Sequence, residues 1–328
     1  MFENGYYEKI GAEIFDDIPD FWSKYVTHCS KYQICFLMGL IRGKGMKNIL
    51  EIGTSNGVAS LYMLKAMVEG GGTKNSDFKL RSIDIAKDDF IAKAVLSEAS
   101  KTELESFELH KGRTAFDIEN ILPENTKLDL VFIDGGHSHP HPLFDLIYII
   151  PYLHDESLVV LHDVMGLHLR PNAWGESFIF EGWTESKYQN YNIEGKHKET
   201  LGCIKIPKDP AALRENLLRI AKIPMRAAPW KWDDCRLGFD KTHLDRLCEF
   251  MKRHYTENLA DEIYQALLKN YTTYMEEWLL RVHETRFIDH IYEKYWDFES
   301  RLLKLETPKK SWLGRIFNNP KKSHPDHL

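Results

Sequence analysis

The stretch ILEIGTSNGVASLYML, residues 49–64, has the pattern of a short apolar strand, a glycine turn and the start of a helix. Gly53 and Gly57 are four residues apart, and Ser55 stands where the dinucleotide-binding fingerprint G-x-G-x-x-G has its second glycine. Because that glycine lets the backbone approach a pyrophosphate, its absence favours a ligand without phosphate groups. Glu51 would repel a pyrophosphate and suits an ammonium or sulfonium group. The alternative is that both glycines serve only the turn.

Short β-type runs alternate with helical patterns across residues 46–207. This alternation predicts an α/β fold, a Rossmann-like doubly wound and mostly parallel sheet with helices on both faces. The predicted strands are 48–53, 79–85, 107–112, 128–136, 157–164 and 201–206, and the predicted helices between them include 57–68, 88–103 and 141–153.

The flanking regions have a different texture, so we predict three parts: an N-terminal helical lid at 1–45, the α/β domain at 46–207 and a helical extension at 208–328. From Phe239 to Thr307 there is no glycine or proline, which predicts one very long helix or, preferably, two or three. The extension is either a packing appendage or an arm that forms a homo-oligomer. Its basic end, residues 309–328, is predicted to be disordered.

The composition excludes several classes of protein. The net charge of −6 gives no basic surplus for general nucleic-acid binding. The start of the sequence has no signal-peptide pattern, and no apolar stretch is long enough to span a membrane. The five cysteines are scattered and contain no C-x-x-C pair, which is typical of reduced thiols in the cytoplasm.

Acidic residues follow the strands at the edge where open α/β sheets bind their ligands. Asp84 ends the second strand, about thirty residues after the glycine turn, and could accept both hydroxyls of a ribose or simply cap the next helix. Two acids and a glycine turn without a phosphate cradle fit an adenosine that carries an amino acid, namely S-adenosylmethionine (SAM).

The pattern E-x-G-x-x-x-G, an acid after the second strand and FIDGGH after the fourth resemble class I SAM-dependent methyltransferases, over roughly residues 46–207. The closer resemblance is to the branch with I-D-G-x-H after strand four and H-D after strand five, many members of which methylate hydroxyls of sugars or small natural products. The resemblance implies a SAM site formed by Glu51, Gly53, Thr54, Gly57, Asp84, Arg113 and Asp134. Arg113 is placed there by position alone, and a plain surface turn is the alternative. The usual Pro-Gly-Gly turn before strand five is replaced here by LHDESLVV.

The ends of the fourth and fifth strands bring further acids and histidines to the same edge. Asp134, His162 and Asp163 are expected to converge, and two carboxylates with a histidine suit Mg²⁺ or Mn²⁺. In the family the pair after strand five is often two acids, whereas one of them here is His162. The alternative is that Asp134 binds SAM or backbone amides while His162 and Asp163 form a hydrogen-bonded pair. His137 is the candidate catalytic base, with Asp134 beside it, and His139 and His141 are expected to have no catalytic role.

The resulting hypothesis is a SAM-dependent O-methyltransferase acting on a small hydroxylated acceptor, such as a sugar-containing metabolite, with a divalent ion assisting. Aromatic residues that would cover the acceptor or pack a lid are Trp174, Trp183, Tyr188 and Tyr191. Two alternatives are kept: an inactive methyltransferase-like assembly protein that uses its helical arm, and a nicotinamide-dependent oxidoreductase on the same type of sheet.

Overall fold

The computed structural model describes residues 5–16, 24–25, 29–70, 78–164, 175–190, 201–225 and 239–277. Apart from 275–277, these residues belong to one compact unit, Met1–Tyr274. Within them, seven strands form a single sheet in the order β3-β2-β1-β4-β5-β7-β6. Its strands are β1 (Asn48–Ile52), β2 (Lys79–Asp84), β3 (Phe107–Lys111), β4 (Leu128–Ile133), β5 (Leu153–Leu161), β6 (Lys187–Gln189) and β7 (Gly202–Ile204).

The first five strands are parallel, and β7 runs antiparallel to both β5 and β6. This confirms the predicted Rossmann-like, mostly parallel sheet. Two details differ from the prediction. β5 begins at Leu153, four residues before the predicted start, and the three-residue β6 was not predicted.

The helices cover both faces of the sheet, as the buried character of its strands requires. They are α1 (Tyr6–Asp16), α2 (Lys31–Lys44), α3 (Val58–Gly70), α4 (Lys93–Glu98), α5 (Lys101–Glu105), α6 (Ile118–Ile121), α7 (His141–Ile149), α8 (Gly175–Gly182), α9 (Pro210–Ala221), α10 (Lys241–His254) and α11 (257–277). The predicted helix at 88–103 is divided, because Ser100 and Glu103 form a capping box that starts α5.

Successive strand residues enter two separate cores, one on each face. Leu130 packs with α1–α4 on one face, whereas its neighbour Val131 packs with α6–α11 on the other. The sheet is therefore rigidly held between two apolar layers, and its strand ends are the positions from which polar side chains can reach a ligand.

Helices α10 and α11 are part of the second core. The Phe250 and Tyr148 rings are 4.3 Å apart, and the Tyr255 hydroxyl donates a hydrogen bond of 2.6 Å to the carbonyl oxygen of Ile147. For residues 239–274 these contacts favour the packing interpretation, and the break at 255–256 fits the preferred prediction of more than one helix. The end of the predicted arm at 278–307 and the basic tail lie outside the described residues.

The predicted domain boundaries at 45/46 and 207/208 stay predictions. In the described part of the chain, no helix combines the length and the apolarity needed to cross a membrane.

Candidate active site

The candidate site lies at the carboxyl edge of the sheet, where β1 and β4 are neighbours and the strand order reverses. Open α/β sheets bind ligands at this switch point. The loops after β1, β2, β4 and β5 bring together most of the predicted site residues. Only Arg113, after β3, belongs to a strand further out.

Gly53 and Gly57 are required by close approaches of the chain to itself. Gly53 has φ +96°, and a Cβ there would lie 2.0 Å from the carbonyl oxygen of Asp134. Gly57 has φ +81°, and its Cβ would lie 2.8 Å from the Cα of Ala92. Neither position tolerates a side chain, because the conformation and the space both exclude one. Gly53 thus allows the end of β1 to lie close to the end of β4, and Gly57 allows the glycine loop to lie close to the residue before α4.

The amides of the glycine loop are already hydrogen-bonded within the protein. Asp84 Oδ2 accepts from the Thr54 and Ser55 amides at 3.1 and 2.8 Å, while the Gly53 and Gly57 amides donate to backbone carbonyls. These four amides are therefore not free to cradle a pyrophosphate. Oδ1 of Asp84 accepts from the Ala86 amide at 2.8 Å, so one acceptor position of the carboxylate is left for an incoming hydroxyl.

Glu51 is fully buried beneath this loop. Its Oε2 accepts hydrogen bonds of 2.5 Å from the hydroxyls of Ser60 and Ser82, and Oε1 has no hydrogen-bond partner among the described residues. Burial raises the pKa of Glu51 to about 8, against the lowering effect of the two hydroxyls. With that pKa Glu51 is mostly uncharged at neutral pH, so it would attract a ligand cation only if binding lowered its pKa.

Arg113 lies at the outer part of the edge. Its guanidinium is 3.5 Å from Asp117 Oδ1, and its amide donates to the carbonyl oxygen of Asp84 at 3.1 Å. Next to Asp84, Ile85 is 74% exposed, one of the few large apolar side chains on the described surface. The sequence interpretation did not include Ile85, although its position directly after the acid of β2 could have indicated it.

The predicted trio Asp134, His162 and Asp163 does converge. His162 Nδ1 is 3.2 Å from Asp134 Oδ1 and 3.2 Å from Asp163 Oδ1. Burial disfavours a charged His162, but Asp134 and its other neighbours outweigh that effect, so the pKa of His162 lies well above its usual value. Asp163 has φ +54°, a conformation that non-glycine residues rarely adopt and that is concentrated at functional sites.

His137 lies beside this trio and is held by an acid from α8. Its Nδ1 is 2.8 Å from Oε1 of Glu176, which is fully buried, and its Nε2 is 3.9 Å from Asp134 Oδ1. Burial lowers the pKa of His137, but Glu176 and the two aspartates have a larger opposite effect and raise it to about 9. Without a counter-charge from a ligand or ion, His137 is therefore protonated at neutral pH.

Three residues of the cluster were missed by the sequence interpretation: Cys29, Gln33 and Glu176. A sulfur, a carboxylate oxygen and a ring nitrogen of Cys29, Asp134 and His162 lie within 4.8 Å of one another. Gln33 Nε2 is 3.3 Å from His162 Nε2. Ser30 and Gln33 form a capping box that could have indicated the start of α2, but no local pattern indicates that this helix end faces β5.

Other predicted residues make packing contacts. The rings of His139 and His141 pack against Phe178 and Phe239. Trp183 and Tyr188 are buried, with the Trp183 Nε1 donating to the carbonyl oxygen of Lys205, which favours the packing interpretation for these two. Trp174 and Tyr191 lie outside the described residues.

Residues 50–164 match a family model described as "Methyltransferase domain", and this range contains every predicted site residue. None of the curated proteins compared with this chain matches its sequence.

Several solved structures overlap with the chain. The O-methyltransferase TomG from Streptomyces achromogenes, involved in tomaymycin synthesis and bound to SAM, is 21% identical with a TM-score of 0.41, over 62% of this chain and 89% of its own. The O-methyltransferase from Bacillus cereus in complex with S-adenosylhomocysteine (SAH) is 16% identical with a TM-score of 0.42, over 62% and 90%. The SAH-bound Podospora anserina methyltransferase PaMTH1 is 17% identical with a TM-score of 0.37, over 52% and 74%. These overlaps are too loose to assign a ligand or an activity.

Proposed function

We propose that this chain, whose residues 50–164 match a family model described as "Methyltransferase domain", is a class I SAM-dependent methyltransferase that methylates a hydroxyl oxygen of a small acceptor, with a divalent ion assisting. The observation that carries the proposal is the convergence of His137, Asp134, His162 and Asp163 beside the glycine loop. A histidine can accept the proton of a hydroxyl, and paired carboxylates can hold an ion that lowers the pKa of that hydroxyl.

The donor side of the edge suits SAM. SAM carries a methyl group on a sulfonium, and a positive charge is favoured by Asp84 beside the loop and by the aspartates after β4 and β5. Because the loop amides already donate to Asp84 and to carbonyls, the site suits a ligand without phosphates, which disfavours a nicotinamide dinucleotide. Asp84 would take a ribose hydroxyl, and the exposed Ile85 gives an apolar face for the adenine ring. Arg113 is proposed to lie beside the adenine.

The acceptor side would hold the ion between Asp134, His162 and Asp163. A divalent ion bound there would orient the acceptor oxygen and lower the pKa of its hydroxyl. The positive charge would also oppose the effect of the two aspartates on His137, whose protonated state otherwise prevents it from acting as a base. Proximity and alignment of methyl group and oxygen would supply most of the rate.

Glu176 would act through His137. A hydrogen bond from Nδ1–H to the buried carboxylate leaves Nε2 as the nitrogen that can take a proton, on the side of Asp134. Glu176 is thus a positioning residue in this proposal, comparable in role to the acid that orients a catalytic histidine in hydrolases.

The remaining parts of the proposal concern the acceptor and the organisation of the chain. A small-molecule acceptor fits the methyltransferase domain, and a sugar or natural-product hydroxyl fits the polar, acidic lining of the cluster. The lid at 1–45, the α/β domain at 46–207, the extension at 208–328, a homo-oligomer formed through that extension and a cytoplasmic location all belong to the proposal.

The first experiment is a calorimetric titration of the full chain with SAH, in Mg²⁺, in Mn²⁺ and in EDTA, beside a titration with NADH. Micromolar SAH binding without NADH binding supports the proposal. A stable oligomer that ignores both ligands would point instead to an assembly protein.

The second experiment measures transfer of labelled methyl groups from SAM to a panel of sugars and phenols, with Asp134→Ala and Asp163→Ala beside the wild type. Turnover that is unchanged in both variants would remove the ion from the mechanism.

A further inference from the structure

We propose that Cys29 is a thiolate ligand of the ion at this site, and that the site therefore selects a transition ion such as Zn²⁺ over Mg²⁺. The inference deepens the proposed function, on which it rests for the presence of an ion. It concerns the identity of the ion and of one ligand that comes from outside the methyltransferase domain.

Cys29, Asp134 and His162 come from three separate elements and meet at one point. Cys29 lies two residues before α2, Asp134 directly after β4 and His162 directly after β5. Their donor atoms lie within 4.8 Å of one another, and Cys29 and His162 are 5% and 4% exposed. A buried thiol that contacts a buried imidazole and a carboxylate is an uncommon arrangement for a cysteine that only fills space, since such a cysteine usually has apolar neighbours.

The spacing of the donors fits a single ion. Donors that are each about 2.0–2.2 Å from one ion are separated from each other by roughly 3.0–3.5 Å. His162 Nδ1 is 3.2 Å from one oxygen of Asp134 and 3.2 Å from one oxygen of Asp163. His162 is buried, and this ring nitrogen lies at ion-pair distance from both aspartates. The Cys29 sulfur lies within 4.8 Å of the ligand atoms of Asp134 and His162, so these three donors can share one ion.

The donor set is poorly suited to Mg²⁺. Magnesium takes oxygen ligands and keeps several waters, whereas thiolate and imidazole favour zinc and related transition ions. The change from a second acid to His162 removes an oxygen donor, and Cys29 adds a sulfur. Both differences make the site less suited to Mg²⁺ and better suited to Zn²⁺ or a related transition ion.

Ion binding also accounts for the charges that meet here. The Cys29 thiol loses its proton to solvent as the sulfur–ion bond forms, and a protonated His162 likewise releases a proton when Nδ1 binds. Gln33 Nε2 lies 3.3 Å from the other ring nitrogen, Nε2, and Gln33 Oε1 accepts from the Ser30 amide. An ion at Nδ1 leaves the ring proton on Nε2, so Gln33 would have to turn its amide oxygen toward the ring to orient the bound histidine.

The test is replacement of the ion by Co²⁺ in the EDTA-treated full chain, followed by absorption spectroscopy. We expect a thiolate-to-cobalt charge-transfer band in the near ultraviolet, which oxygen and nitrogen ligands do not give. The band should vanish in Cys29→Ala and Cys29→Ser and persist in Cys35→Ala, a matched buried cysteine in α2. Zn²⁺ should remove the band at stoichiometric amounts, and Mg²⁺ should not remove it at a hundredfold excess.

Zn²⁺ affinity, measured by competition with a chelating dye, should fall at least tenfold in both Cys29 variants and stay unchanged in Cys35→Ala. Cobalt binding without the band, or a band that survives in a folded Cys29 variant, would overturn the inference, as would the absence of Co²⁺ and Zn²⁺ binding to the folded wild type. SAH titration of the same samples keeps the two proposals apart. SAH binding without a cobalt band would support the methyltransferase proposal and contradict the Cys29 ligand. A cobalt band without SAH binding would support the Cys29 ligand and contradict the methyltransferase proposal.

Discussion

Asp84 connects the fold with the proposed donor site, because one carboxylate holds the glycine loop and has one acceptor position to spare. In Asp84→Asn the charge is lost and one oxygen becomes a donor that faces backbone amides. We expect SAH affinity to fall about 10–100-fold, the range for a lost hydrogen bond to a charged group. Calorimetry measures it, with the exposed Asp89→Asn as control. Equal affinity in both variants would remove Asp84 from the site.

Glu176 sets the protonation of His137, since it supplies the largest effect that raises the histidine's pKa to about 9. In Glu176→Gln that pKa should fall toward the ordinary histidine value, while SAH affinity stays unchanged. A nitrogen-15 NMR titration of histidine-labelled, ion-free protein measures this, with the signal assigned by its absence in His137→Gln. Glu181→Gln, an exposed change in the same helix, should leave the titration as in the wild type. An unshifted His137 in Glu176→Gln would contradict the positioning role.

At this scale the sequence predicted residues whose place follows from the strand order. Asp134, His162 and Asp163 each follow a parallel strand, and neighbouring parallel strands end at the same edge. Cys29 and Glu176 could not be predicted in the same way. Each reaches the site from a helical region whose docking depends on the packing of the whole domain, and no spacing in the sequence records that contact.

The glycine loop is the element most sensitive to change. Gly53→Ala would place a Cβ 2.0 Å from the Asp134 carbonyl, so β1 and β4 would have to separate at their ends. Gly45 has φ +61° but nothing within 4 Å of its Cβ position, so Gly45→Ala isolates the conformational cost, about 1–2 kcal/mol. We expect Gly53→Ala to lower the free energy of unfolding clearly more than Gly45→Ala does in urea titrations.

SAH affinity provides a second comparison for the same pair. Gly53→Ala should weaken SAH binding and Gly45→Ala should not, because only the first loop borders the site. If the two variants were equally stable and bound SAH equally, the close approach at Gly53 would contribute neither to the free energy of unfolding nor to SAH binding.

Strong periodicity made most elements predictable, and weak periodicity explains the exceptions. The long apolar runs of β1 and β4 leave little choice of structure. The three residues of β6 carry no alternation that could be recognised, and that strand exists only because β7 pairs with it. The division of α4 from α5 depends on the capping box at Ser100, a local signal that the apolar spacing of 88–103 obscured.

For the whole molecule, two buried carboxyl groups dominate the predicted dependence of stability on pH. Burial raises the pKa of both Glu51 and Asp145 to about 8. In the unfolded chain they ionise near pH 4. Between these values the unfolded chain has lost protons that the folded chain keeps, so the free energy of unfolding falls as pH rises. His137, with its pKa raised to about 9, contributes a similar fall that starts only near its unfolded pKa of about 6.5.

The window from pH 5 to 6.5 therefore separates the buried carboxyl groups from the histidines, with Glu176, whose pKa is also raised by burial, contributing beside Glu51 and Asp145. Below it lie the effects of surface acids such as Glu108, whose pKa is lowered by Arg81 and Lys79 against partial burial. Each buried group should contribute a slope of up to about 1.4 kcal/mol per pH unit. We expect urea titrations of the wild type to show decreasing stability across this window, and the double variant Glu51→Gln/Asp145→Asn to lose most of that slope. Asp89→Asn should keep it. A flat wild-type profile would mean that both carboxyl groups are ionised in the folded protein, and hence that a cation or water reaches them from the edge where the ligand is proposed to bind.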